Sequence, residues 1–475
     1  MLPTPEVQRE IEGCSLLIRQ YLAAVQAENE RLTREITDLQ ARLRQNSTNS
    51  SQPPSSSPFI KPKSLRVKTG RHPGGQPGHP GSTLRVMETP DEVVEHKVDT
   101  CSYCGGDLSG ETAIISHTRQ VMDVKIVPVV TQHCVESKTC PVCGKTTTAV
   151  FPSGVDHYIQ YGDTFRSIMV CLNKGNYIPY DRLARISQDI FGVPVSNGAL
   201  VNIVHECGQS LDNSMTYIKD QLKQSSVVHF DETGTRVKGK NEWLHSAGNV
   251  HFTYLETHPK RGSAAIDEIG ILPQFTGTAV HDFWKPYYHY PDCKHAICNA
   301  HILRELNGIA ENYPQTWPVR MKDLLLEIKE SIEDNLGILA LDDFEDFATR
   351  YDAILSLGEK ENPLTRKTLI PGHKRGPGAR GKARNLLDRM RLYKPDILRF
   401  MEDPEVPFDN NQAERDIRMS KLQQKISGGF RSDQGNAAFD HIRSYIATAI
   451  KQGISVFEAI QAAVSGKPLF TAENH

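Results

Sequence analysis

The segment SSVVHFDE, Ser225 to Glu232, alternates β-branched or aromatic residues with polar ones and stops on acids, which reads as a short strand ending in Asp231. Working outward, NEWLHSAG (241–248) and VHFTYLET (250–257) have the same character and read as the next two strands. Gly239 sits in the first connection, and Gly248 with Asn249 in the second. A helix is expected over Ser263 to Ile269. A fourth strand, TAVHDFW, ends at Asp282, and a fifth short strand near Ala296 to Cys298 leads into a helix from His301 to Glu311.

Three antiparallel strands, a crossover helix and two further strands give the order of an RNase H-like core. Far downstream, PFDNNQAERDIR opens another helix at Pro407, with Asp409 expected as its N-cap and Gln412 completing a capping-box pair. On that helix Glu414, Arg418 and Lys421 share one face at i, i+4 and i+7. Packing it against the strand ends would set Glu414 beside Asp231 and Asp282. Three convergent carboxylates offer the hard oxygen ligands that suit two Mg²⁺ or Mn²⁺ ions, which can assist displacement at a phosphodiester. Without cations the cluster repels itself, by about 4 kcal/mol per pair at about 4 Å and an effective dielectric of about 20.

Upstream, residues 15–45 carry two interleaved heptad rows, Ile18, Val25, Leu32, Leu39 and Leu22, Ile36, Leu43, with Asn29 as a lone polar residue in the second. That is the pattern of a two-stranded coiled coil, and so of a homodimer. Residues 45–58, QNSTNSSQPPSSSP, read as a linker. From Arg42 to Met87 there are eight basic residues, Lys61, Lys63, Arg66, Lys68 and Arg71 among them, and no acid. Between Arg366 and Lys394 ten Lys and Arg face one acid, Asp388. Such blocks are solvated tails or polyanion contacts.

Cys101, Cys104, Cys140 and Cys143 form two C-x-x-C pairs, each followed by glycine, with a strand-like run from Val121 to Val130 between them. Two such turns can close a tetrahedral, structural Zn²⁺ site. Tyr180 to Cys207 reads as helix, a turn with Gly192 and Pro194, and a helix capped by Ser196. A DNA-binding helix-turn-helix and an ordinary bundle pair both fit.

The full chain has 475 residues, 38% hydrophobic and 24% charged, with 55 Lys and Arg against 57 Asp and Glu for a net charge of −2. These values exclude a wholly disordered chain and a uniformly basic one. No signal-like start or membrane-length apolar run is read, so a cytoplasmic, nucleoid-associated protein is expected. The expected architecture is multidomain α+β. It comprises a coiled coil (1–45), a basic linker (46–90), a zinc module (91–150), a helix-turn-helix-like region (151–225), the first part of the core (226–310), a helical and basic insertion (311–400), the second part of the core (401–450) and a C-terminal helix and tail (451–475).

Taken together, the coil, GGQPGHPGSTL, the cysteine pairs, HFDETGTRV, DFWKPY followed by CNAHILREL, and FDNNQAERDIRMSKLQQKISGGFRS resemble a DDE transposase of the insertion-sequence-sixty-six family, over nearly the whole chain. The resemblance implies a catalytic metal triad of Asp231, Asp282 and Glu414, with Lys421 near the DNA end. The step from Cys298 to His301 also matches the family, and His301, Arg304 and Arg418 are read as supporting residues. Asp292 is a weaker candidate for the second acid, and Cys293, His295, Cys298 and His301 a less favoured second zinc set. The implied activity is metal-dependent cleavage of DNA 3′ ends and strand transfer, acting on element ends and target DNA, with accessory proteins of the same element as potential partners. Rival readings are a catalytically silent DNA-binding regulator and an RNase H-fold nuclease.

Overall fold

The computed structural model describes residues 11, 13, 15–46, 48–50, 84–335, 339–363 and 381–473. The heptad segment forms one helix, α1 (Leu16–Leu43). Its stripe, Ile18, Leu22, Val25, Leu32, Ile36, Leu39 and Leu43, is exposed throughout. Its end meets the body of the chain. Asp38 accepts the Tyr313 hydroxyl at 2.7 Å, and the Asn49 amide donates to Glu311 at 2.9 Å.

The cysteine-containing segment has little regular structure. A two-stranded ribbon, β1 (Ser137–Thr139) and β2 (Thr146–Thr148), flanks the second cysteine pair. The expected strand from Val121 to Val130 does not form, and Val121, Val124, Val127, Val129 and Val130 all face solvent. β-propensity alone cannot hold a strand that has no neighbour to pair with and no apolar surface to cover.

The body begins with α2 (Asp163–Val170), a single π-turn (Cys171–Gly175), α3 (Tyr180–Phe191), α4 (Asn197–Gln209) and α5 (Asp212–Lys223). Gly192 ends α3 in the left-handed region at φ 66°, and the Ser196 hydroxyl caps α4 by accepting the Ala199 amide at 3.1 Å, both as the sequence implies. This helix pair is not free-standing. Leu200 packs with Leu183 and Met169, while Ile203, Val204 and Cys207 join the main core beneath the sheet.

The mixed sheet comprises β3 (Val227–Val237), β4 (Lys240–Gly248), β5 (Thr253–His258), β6 (Thr278–His281) and β7 (Lys294–Ile297) in the order β5-β4-β3-β6-β7. Strands β3, β4 and β5 are antiparallel, and β3, β6 and β7 are parallel. β3 does not stop at Asp231 but runs six residues further to a two-residue turn at Lys238 and Gly239, with φ of 50° and 76°. Positive φ at both turn residues matches the sheet's twist, so the hairpin can extend. β5 starts three residues later than expected because the Asn249 side chain takes the amides of His251 and Phe252, at 2.8 and 2.7 Å, and holds that stretch in a turn.

Helix α6 (Ser263–Ile269) makes the crossover on one face, and α7 (Asn299–Asn312) follows β7. The insertion folds as α8 (Trp317–Asp334), α9 (Leu341–Glu361), α10 (Lys382–Leu392) and α11 (Lys394–Glu402). Its core is built on Trp317, Tyr351, Leu355, Leu387 and Met390 and is continuous with Val280 and Ile297 of the sheet. The chain then returns as α12 (Asn411–Ser427), α13 (Asp433–Lys451) and α14 (Val456–Val464).

Helix α13 seals the edge strand. The outward amides of Thr253, Leu255 and Thr257 donate to Thr448, Ser444 and Asp440, at 3.1, 2.9 and 2.9 Å. Residues spaced by four on a helix thus stand in for a missing strand, which blocks pairing with another chain. No helix among the described residues is long and apolar enough to cross a membrane.

Candidate active site

The ladder decides where the acids meet. Parallel pairing sets His229 opposite Val280. Carried on by two residues, past the last paired rung, this register brings Asp231, midway along β3, level with Asp282, just past the carboxyl end of β6. Side-chain alternation turns Asp231 toward α12 and its neighbour Glu232 toward α6. The amide of Trp284 donates to the Asp282 carboxylate at 2.8 Å, fixing it in a tight turn just past β6.

Helix α12 is pinned across β3 by Asn410. Its side chain donates to the Phe230 carbonyl at 2.8 Å and accepts from His229 Nδ1 at 2.7 Å, while its amide meets Cys298 Sγ at 3.1 Å. The expected capping box is absent for this reason: the helix starts one residue after the anchor, and Asp409 accepts the Asn411 amide at 3.0 Å instead of pairing with Gln412. One turn on, Glu414 lies 3.5 Å from Arg304 of α7.

The electrostatics record the crowding. Burial, and then the carboxylates of Glu232, Asp282 and Glu414, push the Asp231 carboxyl well above its ordinary value. Burial also raises Asp282, against the Trp284 amide. Glu232 is raised by burial and by Asp282, while the Tyr287 hydroxyl (2.6 Å) and Arg261 (2.6 Å) oppose the shift. The acids therefore lie within one another's fields. Among the described residues, however, no three His, Cys, Asp or Glu side chains are close enough to hold one ion.

The other expected residues sort as follows. Arg304 pairs with Glu414 at 3.5 Å. His301 is largely buried beside it, its Nδ1 without a partner, and burial followed by the Arg304 charge pushes it down to about 3. Lys421 does not reach into the cluster: it donates to the Gly234 carbonyl, and burial lowers its pKa. Arg418 is exposed on α12. Asp292 is exposed before Lys294, which pairs with Thr278 at the start of β6, so it lies at the opposite end of the strands from Asp231. Cys293 and His295 approach to 4.0 Å, but Cys298 Sγ is committed to the Asn410 amide, so the second zinc set is not assembled.

The two C-x-x-C turns share one geometry. Gly105 and Gly144, at φ 75° and 69°, close them onto Cys101 and Cys140 with amide bonds of 2.9 Å. Amides inside each turn lower the thiols, those of Tyr103 and Cys104 acting on Cys101, and those of Cys143 and Val142 on Cys140. Thiolate-favouring turns suit a soft divalent ion, yet Cys101, Cys104, Cys140 and Cys143 do not come together as one set. No apolar core draws the pairs together across the exposed stretch between them. Lys61, Lys63, Arg66, Lys68 and Arg71 lie outside the described residues, as does most of the 46–90 linker and the basic stretch 364–380.

Glu232, Arg261, Tyr287 and the tryptophans around them escaped the sequence reading. The Asp231-Glu232 doublet was the available signal, since alternation sends the second acid to the other face.

A family model described as Transposase IS66 family matches residues 159–438, and one for a family of unknown function, DUF6444, matches residues 2–85. The uncharacterized protein y4jO of Sinorhizobium fredii is 36% identical over 70 residues, which are 15% of this chain and 22% of that protein's length. A cryoEM structure of the simian T-cell lymphotropic virus intasome in complex with the PP2A regulatory subunit B56 gamma aligns at 12% identity and a TM-score of 0.14, covering 44% of this chain and 78% of that one. With the family model spanning more than half of its length, the chain belongs to the IS66 family of transposases.

Proposed function

We propose that the chain is a DDE-type transposase with an RNase H-like core, which cuts the 3′ strands at the ends of a mobile element and joins the freed hydroxyls to target DNA. The observation that carries this reading is the parallel register that brings Asp231, midway along β3, level with Asp282, just past the end of β6, with Glu414 on the helix anchored across them. Hard carboxylate oxygens from three separate elements fit Mg²⁺ or Mn²⁺ as a donor set, and their burial and mutual repulsion give the site a reason to bind cations. Asp231, Asp282 and Glu414 would hold the ions, which supply charge neutralisation at the phosphodiester and a stronger attacking oxygen. In this reading Arg304 steadies Glu414, and Asn410 fixes the helix that carries it. Arg418, exposed on α12, would contact the DNA, and Lys421 would do so on leaving the Gly234 carbonyl.

The same reading assigns double-stranded DNA as partner, contacted by Lys61, Lys63, Arg66, Lys68 and Arg71, and by α3 and α4 or the cysteine segment at the terminal repeats. Cys101, Cys104, Cys140 and Cys143 would hold a structural Zn²⁺, and α1 would pair two protomers through its exposed stripe. The deciding experiment is strand cleavage of the element's ends with Mg²⁺, comparing wild type with Asp231→Asn and Glu414→Gln. Cutting by wild type alone is expected, and equal cutting by the variants would sink the triad. Joined products distinguish a transposase from a plain nuclease, and DNA binding without cutting by wild type would leave a silent regulator.

A further inference from the structure

Arg261 lies between two of the chain's three tryptophans. Its guanidinium carbon is 4.7 Å from the Trp243 ring and 4.5 Å from the Trp284 ring, and its Nη2 pairs with Glu232 at 2.6 Å. The Arg261 side chain is 41% exposed, whereas that of Glu232 is 3% exposed. Tyr287 holds the other Glu232 oxygen and sets its ring edge-on to Trp284, with centroids 5.5 Å apart. Trp243 stands opposite Gly234 in the β3–β4 ladder. The stack abuts the carboxylates, because the backbone of Trp284 is hydrogen-bonded to Asp282.

As a stabilising device this arrangement is weak. An exposed cation–π contact contributes little, while burying the Glu232 carboxylate near Asp282 opposes folding. What it achieves is orientation: a buried acid, locked by Tyr287, holds a solvent-facing guanidinium flat between two half-buried indoles at the rim of an acidic site. Flat π surfaces beside a cation match a nucleotide, which has an aromatic face and a phosphate on the same unit. A base inside a duplex has no free face, so only an unpaired one can use the platform.

Resting on the reading of the carboxylates as a DNA-cutting centre, we infer that Trp243, Arg261 and Trp284 form a platform that stacks an unpaired base at the DNA end, with Arg261 facing the adjoining phosphate. The substrate class is therefore a duplex end whose terminal pair is open.

The test uses full-length protein in Ca²⁺, so that strands remain uncut, and two duplexes of one sequence. One is fully paired, and the other carries 2-aminopurine at a mismatched terminal position. Wild type should bind the open duplex about tenfold more tightly, equivalent to about 1.4 kcal/mol and within the range for one stacked base, and should quench the probe. In Trp284→Ala and Trp243→Ala the affinity ratio should fall to about one and quenching should vanish, whereas Trp284→Phe should keep most of both. Equal affinities with an unquenched probe in wild type would overturn the inference, as would a preserved ratio in both alanine variants. Cleavage with Mg²⁺, and its loss in Asp231→Asn, are read separately, so a failed platform leaves the carboxylate assignment standing.

Discussion

The cysteine segment and the sheet make their sites in opposite ways. In the first, each cysteine pair is a local turn fixed by two or three residues and a glycine, and nothing around it is buried: Val121, Val129 and Val130 are each about nine-tenths exposed. In the second, no two acids of the proposed triad are close in sequence, yet Asp231 and Asp282 are delivered by strands whose neighbours Val228, Phe230, Ala279 and Val280 are buried. The first region has obvious chemistry and no core to assemble it. The second has a self-sufficient core, and its chemistry follows from the topology. A small segment without a core needs a staple, whereas a packed sheet can hold self-repelling charges because many apolar contacts oppose the repulsion.

Breaking the second region's chemistry should give the largest effect. Asp231→Asn and Glu414→Gln are each expected to lower the Mg²⁺-dependent cleavage rate by on the order of 10² to 10³, the scale of losing one preorganised electrostatic partner. Unchanged rates would mean that the acids merely lie near one another. Next in size, Cys101→Ser, or removal of metal by a chelator, should make residues 84–150 sensitive to protease while the body from 163 onward keeps its thermal midpoint. If the two regions lost order together, the contrast drawn here would fail. A proline at Leu32, in the middle of α1, should abolish self-association in sedimentation without altering the body's circular dichroism beyond the lost helix.

Smaller effects probe the body's packing and charge. At Gly208 an added Cβ would lie 2.7 Å from Ala438 Cα, so Gly208→Ala should destabilise by roughly 1–3 kcal/mol in thermal unfolding. The pH response follows from the raised Asp231 carboxyl. The folded state binds this proton more tightly than the unfolded chain, so without divalent ions the site's contribution to stability falls as pH rises above 3.8 toward the raised value. Asp231→Asn should therefore become more stable relative to wild type across that window, by about 2 to 4 °C for each kcal/mol relieved. Adding Mg²⁺ should shrink the gap, and a pH-independent gap would remove the repulsion argument.

Much of this was legible in the chain. The turn at Gly192, the Ser196 cap and the Ser263–Ile269 helix follow from local chemistry that operates over four or five residues, and all three form as read. The misread features share a cause. The strand expected over Val121–Val130 lacks a partner, and the capping box at Asp409 is displaced because Asn410 is drawn inward to His229 and Phe230. In each case a residue's local preference was overridden by a group far away in sequence.

The sequence alone therefore determined which residues are acidic, which turns bind their own backbone, and where the turn at Gly192 and the cap at Ser196 fall, because those depend on neighbours a few bonds apart. Only the tertiary structure decided that Asp231 adjoins Asp282, that α13 caps the amides of β5, and that Arg261 lies between Trp243 and Trp284 over a buried glutamate. Those juxtapositions arise from strand register and helix packing, which minimise exposed apolar surface over the whole body and are encoded in no single stretch of it.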